Sequence, residues 1–256
     1  MSRLAGKVAI VTGSSGSIGR AAALELAREG ADVVLQYQSN KGRAEEVAGR
    51  IASLGRKALV AKVNFNEVST APGEVDNMVN AAAIQLGRVD FLLNFAGYPA
   101  KGEWNKRFLD LTPDDFFKPI NVDLYGSFLC ARAVAPLFLS QGKGVVVNVS
   151  STPALAGHNK GFAFTVAKAG VIGLTKALAN ELAPHVRVNT IALGNIETEW
   201  ITELTSEELK REREDNLIRR FGQPEEIAKT IIFLCSDDSS FINGQTIVLD
   251  GGSILH

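Results

Sequence analysis

The sequence predicts one α/β domain: a Rossmann-type, doubly wound, seven-stranded and mainly parallel sheet with helices on both faces. Three observations carry this expectation. Short β-branched runs alternate with longer helical patterns along the 256 residues. Several of those runs are apolar at consecutive positions, as strands covered on both faces must be. The first run leads directly into a glycine-rich turn and a helical pattern, the arrangement that opens nucleotide-binding sheets.

Taken in order, strands are expected at Val8–Thr12, Asp32–Tyr37, Ala58–Val63, Asp90–Asn94, Val145–Ser150, Arg187–Ile191 and Thr246–Leu249. Helical patterns fall between them, at Ile18–Arg28, Arg43–Leu54, Glu74–Leu86, Val122–Ser140, Phe162–Leu182 and Pro224–Cys235. Pro224 suits a first helical turn, and Glu225 and Glu226 follow it at the positive end of the helix dipole. No repeat or linker interrupts the chain, so residues 1–256 read as a single domain. The stretch Thr202–Arg220 differs, being crowded with charges of both signs. It reads either as a solvated helix or, within residues 195–220, as a lid over a substrate cleft, because it follows a strand end where α/β ligands bind.

Composition narrows the function classes. A hydrophobic share of 46% excludes a disordered chain. With 27 basic and 28 acidic residues there is no electrostatic case for a nucleic-acid or membrane partner. Cys130 and Cys235 are too few for a disulfide framework and point to a reduced, cytoplasmic compartment. The longest apolar stretch, Leu124 to Leu139, is broken by Arg132 and Pro136 and reads as a buried helix rather than a membrane span. Histidines and cysteines are scattered, without metal-ligand spacing, so no metal site is expected.

The turn Thr12-Gly13-Ser14-Ser15-Gly16-Ser17-Ile18-Gly19 carries the clearest chemistry. Glycines permit close backbone approach, and the unpaired N–H groups at a helix start favour a pyrophosphate. Sites that prefer NAD place an acid about 20 residues beyond the glycines, for the adenosine ribose. Here Asp32 comes too early, and the second strand runs out into Ser39, Asn40, Lys41 and Arg43. Those side chains suit a 2′-phosphate, so NADP(H) is favoured over NAD(H); otherwise they form a polar turn with two solvated cations.

On these and further motifs the chain resembles the short-chain dehydrogenase/reductase family, in the branch of small 3-oxoacyl-acyl carrier protein reductase-like enzymes. Thr12–Gly19 is similar to the family's TGxxxGxG turn, and Asn94-Phe95-Ala96-Gly97 to its NNAG motif. Asn121 falls where a catalytic asparagine is expected, Ser151 where the catalytic serine stands, and Lys168 where the lysine of YxxxK stands. Arg220-Phe221-Gly222-Gln223-Pro224-Glu225-Glu226, Asn243-Gly244-Gln245 and Asp250-Gly251-Gly252 resemble the C-terminal motifs. The resemblance implies a cofactor site drawn from Gly13, Ser15, Ser17, Ile18, Gly19, Ser39, Asn40, Asn64, Asn94, Ala96, Gly97, Lys168, Gly194, Ile196 and Thr198. It also implies a small carbonyl or alcohol substrate, and a homotetramer built on the apolar helices Val122–Ser140 and Phe162–Leu182.

In that family a tyrosine phenol gives the carbonyl oxygen its proton, a lysine ammonium lowers the phenol pKa, serine bonds the substrate oxygen and asparagine holds a water. In this chain the tyrosine position is Phe164, four residues before Lys168, and a phenyl ring has no exchangeable proton. General-acid catalysis contributes about 10²–10⁴-fold, so ordinary turnover is in question. Ser17 replaces a glycine, with its hydroxyl expected to cap the helix or bond a phosphate. Leu193-Gly194 stands for Pro-Gly, and Asn64 for an acid. Tyr98 and His158 are weighed as substitute acids against plain loop roles. Two functions remain: a carbonyl–alcohol oxidoreductase, and a catalytically silent dinucleotide-binding protein.

Overall fold

Alternation along each strand divides the molecule into two cores. The computed structural model describes residues 2–100 and 102–255. Its strands are β1 (Val8–Thr12), β2 (Asp32–Tyr37), β3 (Ala58–Lys62), β4 (Phe91–Asn94), β5 (Gly144–Ser151), β6 (Val186–Leu193) and β7 (Thr246–Leu249). They form one seven-stranded sheet in the order β3-β2-β1-β4-β5-β6-β7, parallel at every pairing. The expected architecture holds, and strand limits move by one or two residues. Strand β6 is longer than expected because its partner β5 continues to Ser151, which pairs with Leu193.

Helices follow as α1 (Ser17–Arg28), α2 (Lys41–Ser53), α3 (Ala71–Leu86), α4 (Pro113–Pro119), α5 (Gly126–Gln141), α6 (Pro153–Ala156), α7 (Phe162–Glu181), α8 (Ser206–Glu214) and α9 (Pro224–Cys235). Successive strand side chains point to opposite faces. Ala9, Val11, Val33, Leu35, Leu93 and Val147 pack against α1, α2 and α9. Ile10, Val34, Leu92, Val146 and Val188 pack against α3 and α5. With both faces covered, β1 is buried at every position, which is why it reads as an unbroken apolar run.

Two local findings correct the expectations. The single helix expected at Val122–Ser140 is instead α4, a π-helical turn at Ile120–Tyr125 and α5, joined end to end. The charged stretch 202–220 is not one long helix: it carries the short helix α8, started by a capping box between Thr205 and Glu208 and itself without a buried residue. Cys130 and Cys235 are buried free thiols, and burial pushes both up to about 12. The stretches Pro113–Gln141 and Phe162–Glu181 are long and apolar enough to cross a membrane by composition, yet both pack against the sheet.

The strand order reverses between β1 and β4, where Thr12 pairs with Asn94. In open α/β sheets the crevice at the carboxyl ends of such neighbours is the ligand site. The turn after β1 and the ends of β4, β5 and β6 meet at this end.

Candidate active site

The turn after β1 is held shut from beneath. Gly13 N–H donates to the Gln36 side chain at 2.8 Å, and Gln36 Nε2 donates to the Val63 carbonyl at 2.8 Å. Gly13 has φ +61°, and a Cβ there would lie 2.7 Å from the Phe95 carbonyl oxygen, so only glycine fits. Gly19 is needed for a different reason: a Cβ on it would collide with the Gly13 carbonyl and lift α1 off the turn. The Thr12 hydroxyl accepts from Ala96 N–H at 3.0 Å, clamping Phe95–Gly97 against the turn.

Helix α1 leaves the N–H groups of its first turn, Ser17 to Gly19, without intrahelical acceptors. The cap position belongs to Gly16, not Ser17, and no side chain caps the helix. The Ser17 hydroxyl instead donates to the Glu199 carboxylate at 2.5 Å. Arg43 Nη1 reaches the other oxygen of Glu199 at 2.9 Å and the Ser15 carbonyl at 3.3 Å. Burial by itself raises the Glu199 pKa, but the Ser17 hydroxyl, a backbone amide and the Arg43 and Arg20 charges outweigh it and hold the carboxyl below its ordinary value. A carboxylate therefore already stands where an anion is expected, and the residues fit a phosphate group. Phosphate and Glu199 would compete for the same hydroxyl and guanidinium.

The other residues expected near the adenosine are arranged less directly. Asn40 uses its side-chain oxygen to cap α2, accepting from Arg43 N–H at 3.0 Å. Lys41 turns to Glu45 at the surface, and Ser39 is exposed. Asn64 accepts from Gln38 at 2.9 Å. Of the four side chains offered to a 2′-phosphate, Arg43 alone is bonded to the glycine-rich turn among the described contacts.

Across the crevice a polar chain joins three strands. Asn94 Nδ2 donates to Asn148 at 2.8 Å, Asn148 donates to Thr175 at 2.8 Å, and Thr175 shares a short hydrogen bond with Thr190. Asn94 thus bridges strand ends. Ser150 and Ser151 anchor the end of β5, donating to the Lys168 carbonyl at 2.8 Å and the Leu193 carbonyl at 3.1 Å. Gly194 sits against Asp250, where a Cβ would come within 2.6 Å, and Ile196 is buried beside Gly222. Thr198 precedes the 3₁₀ turn Glu199–Glu203 that carries Glu199 to the phosphate turn. Residues 195–220 are pinned at several points: Asn195 donates to Glu212 at 2.8 Å, and Trp200 meets Phe221 edge-on at 5.9 Å.

Lys168 does not reach solvent; it is 6% exposed. Its Nζ donates to the Val149 carbonyl at 3.0 Å and lies 5.6 Å from the centre of the Phe164 ring, one helical turn away. The third neighbour is Asp123, whose Oδ1 is 2.6 Å from Nζ. That approach is off the hydrogen-bond line, so the contact is an ion pair more than an aligned bond. Oδ2 of Asp123 accepts from Tyr98 N–H at 2.8 Å.

Asn121, the expected asparagine, stands two residues before Asp123 in the π-helical turn Ile120–Tyr125. Two residues apart on a helix point to nearly opposite sides, and the residue that meets Lys168 is Asp123. A signal was present in the sequence: an acid among apolar helical residues must be partnered when buried, and Lys168 is a cation in an equally apolar helix. Gln36 and Glu199 were also missed, because neither is marked by local spacing.

The two substitute acids are poorly set. The Tyr98 hydroxyl donates to Glu103 at 3.0 Å, and burial together with Glu103 raises its pKa, the wrong direction for a proton donor. The His158 ring lies tilted against Trp104 at 5.5 Å, and the same indole packs edge-on against Phe164 at 5.5 Å.

Comparison with known proteins fits this geometry. A family model described as enoyl-(acyl carrier protein) reductase matches residues 13–253. The chain is 37% identical to a 3-oxoacyl-[acyl-carrier-protein] reductase of Synechocystis sp. over the full length of both. It is 38% identical to that of Aquifex aeolicus, covering 98% of each. Among solved structures, a short-chain dehydrogenase from Burkholderia cenocepacia in complex with NADP superposes with TM-score 0.88 at 30% identity, over 98% of this chain and 99% of that one. A 7α-hydroxysteroid dehydrogenase complexed with NADH and 7-oxo glycochenodeoxycholic acid superposes with TM-score 0.90 at 31% identity, over 99% and 96%.

Proposed function

We propose that this chain, which belongs to the short-chain dehydrogenase/reductase family, binds NADP(H) at the carboxyl end of its sheet and interconverts a small carbonyl compound and its alcohol. The observation that carries the reading is Lys168, buried and aimed inward beside the crevice instead of reaching solvent. The first-turn amides of α1, with Ser15, Ser17, Ile18 and Arg43, hold the phosphates. Ala96 and Gly97 border the ribose, and Gly194, Ile196 and Thr198 line the nicotinamide side. When bound, the dinucleotide supplies or takes the hydride at the carbonyl carbon. Ser151 orients the substrate oxygen, and Lys168 holds ribose hydroxyls. Lys168 is a proton-bearing side chain beside the Phe164 ring, and Phe164 has no hydroxyl, so turnover is slow.

A second reading, a silent dinucleotide-binding protein, is favoured by Phe164 together with the Asp123–Lys168 pair. Fluorescence titration with NADPH and NADH tests both. Micromolar binding of NADPH, tighter than NADH, is expected, and binding of neither overturns both readings. Assaying 3-oxoacyl thioesters, ketones and alcohols then separates them: no turnover of any by the parent chain leaves the silent reading.

Assembly as a homotetramer is supported by exposed apolar side chains along α4, α5 and α7, among them Phe117, Phe128, Leu139, Phe162 and Val166. A monomeric mass by light scattering overturns that part. A cytoplasmic location accords with two free thiols, and a disulfide-dependent fold would contradict it.

A further inference from the structure

We propose that Asp123 is a positioning residue that pairs with Lys168 and cancels its charge, so that proton transfer at this site is weakened at two places and a hydroxyl restored at position 164 is not activated while Asp123 remains. The inference rests on the dinucleotide-dependent reading of this site and deepens it.

Asp123 is 1% exposed, and its carboxylate is fixed from two sides. Tyr98 N–H holds Oδ2 at 2.8 Å, and Lys168 Nζ sits 2.6 Å from Oδ1. Its backbone is fixed too: the Ser127 hydroxyl donates to the Asp123 carbonyl at 2.6 Å. The residue lies in the π-helical turn Ile120–Tyr125, whose wider winding re-aims side chains relative to a regular helix. A buried carboxylate without a counter-charge is costly, so Asp123 keeps Lys168 close. Lys168 has three protons: one goes to Val149, and Asp123 claims the ammonium from the side.

A lone ammonium within about 4–6 Å lowers the pKa of an acidic neighbour by about 1–3 units. Paired at 2.6 Å with a carboxylate, it presents no net charge, and the carboxylate opposes the shift. Charged and titratable groups from the surrounding elements do not replace the lost field. On the loop after β4, Glu103 is held by the Tyr98 hydroxyl and Lys118. Ahead of α7, His158 packs against Trp104, and it is this indole that meets the Phe164 ring. From β5, Ser151 is neutral and donates to a backbone carbonyl.

The test compares Phe164→Tyr, Asp123→Asn and the double variant. The ionisation of the introduced phenol is read by ultraviolet difference titration against the matching Phe164 protein, which cancels Tyr37, Tyr98 and Tyr125. Ketone reduction by NADPH is read alongside. With Asp123 in place the phenol is expected to titrate at or above the ordinary value of about 10, with activity raised less than about tenfold. In the double variant it is expected to fall by at least about one unit, with activity at least about tenfold above Phe164→Tyr. A phenol well below 10 in Phe164→Tyr, or the same value in both backgrounds, overturns the proposal. If Asp123→Asn does not fold, the single Phe164→Tyr titration still decides. The phenol titration needs no dinucleotide, so a failure to bind NADPH sinks the proposed function and leaves this result readable.

Discussion

The two halves of the crevice are built from different materials. On the β1–β3 side, what an anion needs is supplied by backbone: the free amides at the start of α1 and glycines that let chains approach. A serine in place of a glycine at position 17 leaves that arrangement standing. On the β4–β6 side, what the reaction needs is supplied by side chains, and there Phe164 has no hydroxyl to offer. A backbone-built site tolerates sequence drift, whereas a side-chain-built one is lost or kept residue by residue. Binding and turnover can therefore part company within one crevice.

The contrast is broken most severely at its charged centre. Lys168→Met leaves Asp123 buried without its counter-ion, at a cost of about 3–5 kcal/mol. For a chain of this size the melting temperature should drop by roughly 10 °C in calorimetry, and Asp123→Asn in the same protein should recover most of the loss. An unchanged midpoint would mean that the pair is not desolvated. On the backbone side, Gly19→Ala sets a Cβ against the Gly13 carbonyl and displaces the helix start from the turn. NADPH affinity should weaken by roughly 10–100-fold, about 1.4–2.7 kcal/mol, with the sheet intact by circular dichroism. Unaltered affinity would remove the phosphate site from the turn.

The smallest effect concerns Glu199, which links the lid segment to the phosphate turn. Its folded pKa lies below the ordinary value, so its contact stabilises above the usual glutamate range near 4.3 and is lost as pH falls through the lower folded value. Being half exposed, the pair is screened by solvent and is worth within about 1 kcal/mol. Hydrogen exchange in the Glu199–Glu203 turn should speed up a few-fold below about pH 4 in the parent chain, while Glu199→Gln should be fast and insensitive across that range. The same variant should bind NADPH a few-fold more tightly, because it no longer competes for Ser17 and Arg43. A parent lid whose exchange ignores acid would show that the carboxylate does not hold it.

Much of this was legible in advance. The strands were readable because a doubly covered parallel sheet leaves unbroken apolar runs, and β1, β2 and β7 fall where those runs lie. The glycine-rich turn was readable because glycine is demanded by local backbone geometry. The partner of Lys168 was not legible, because the π-helical turn and the burial of Asp123 are what bring that acid to the ammonium. Ser17 was given a capping role that Gly16 occupies, because a partner 182 residues away claims its hydroxyl.

The order of elements, the phosphate turn and the lack of a phenol at position 164 follow from the chain alone, since each is a matter of local periodicity, backbone permission or covalent identity. Which carboxylate meets Lys168, and which reaches the phosphate turn, was settled only when distant segments came together. Charge pairing depends on distance and burial, and neither is written in the spacing of residues along a strand or helix.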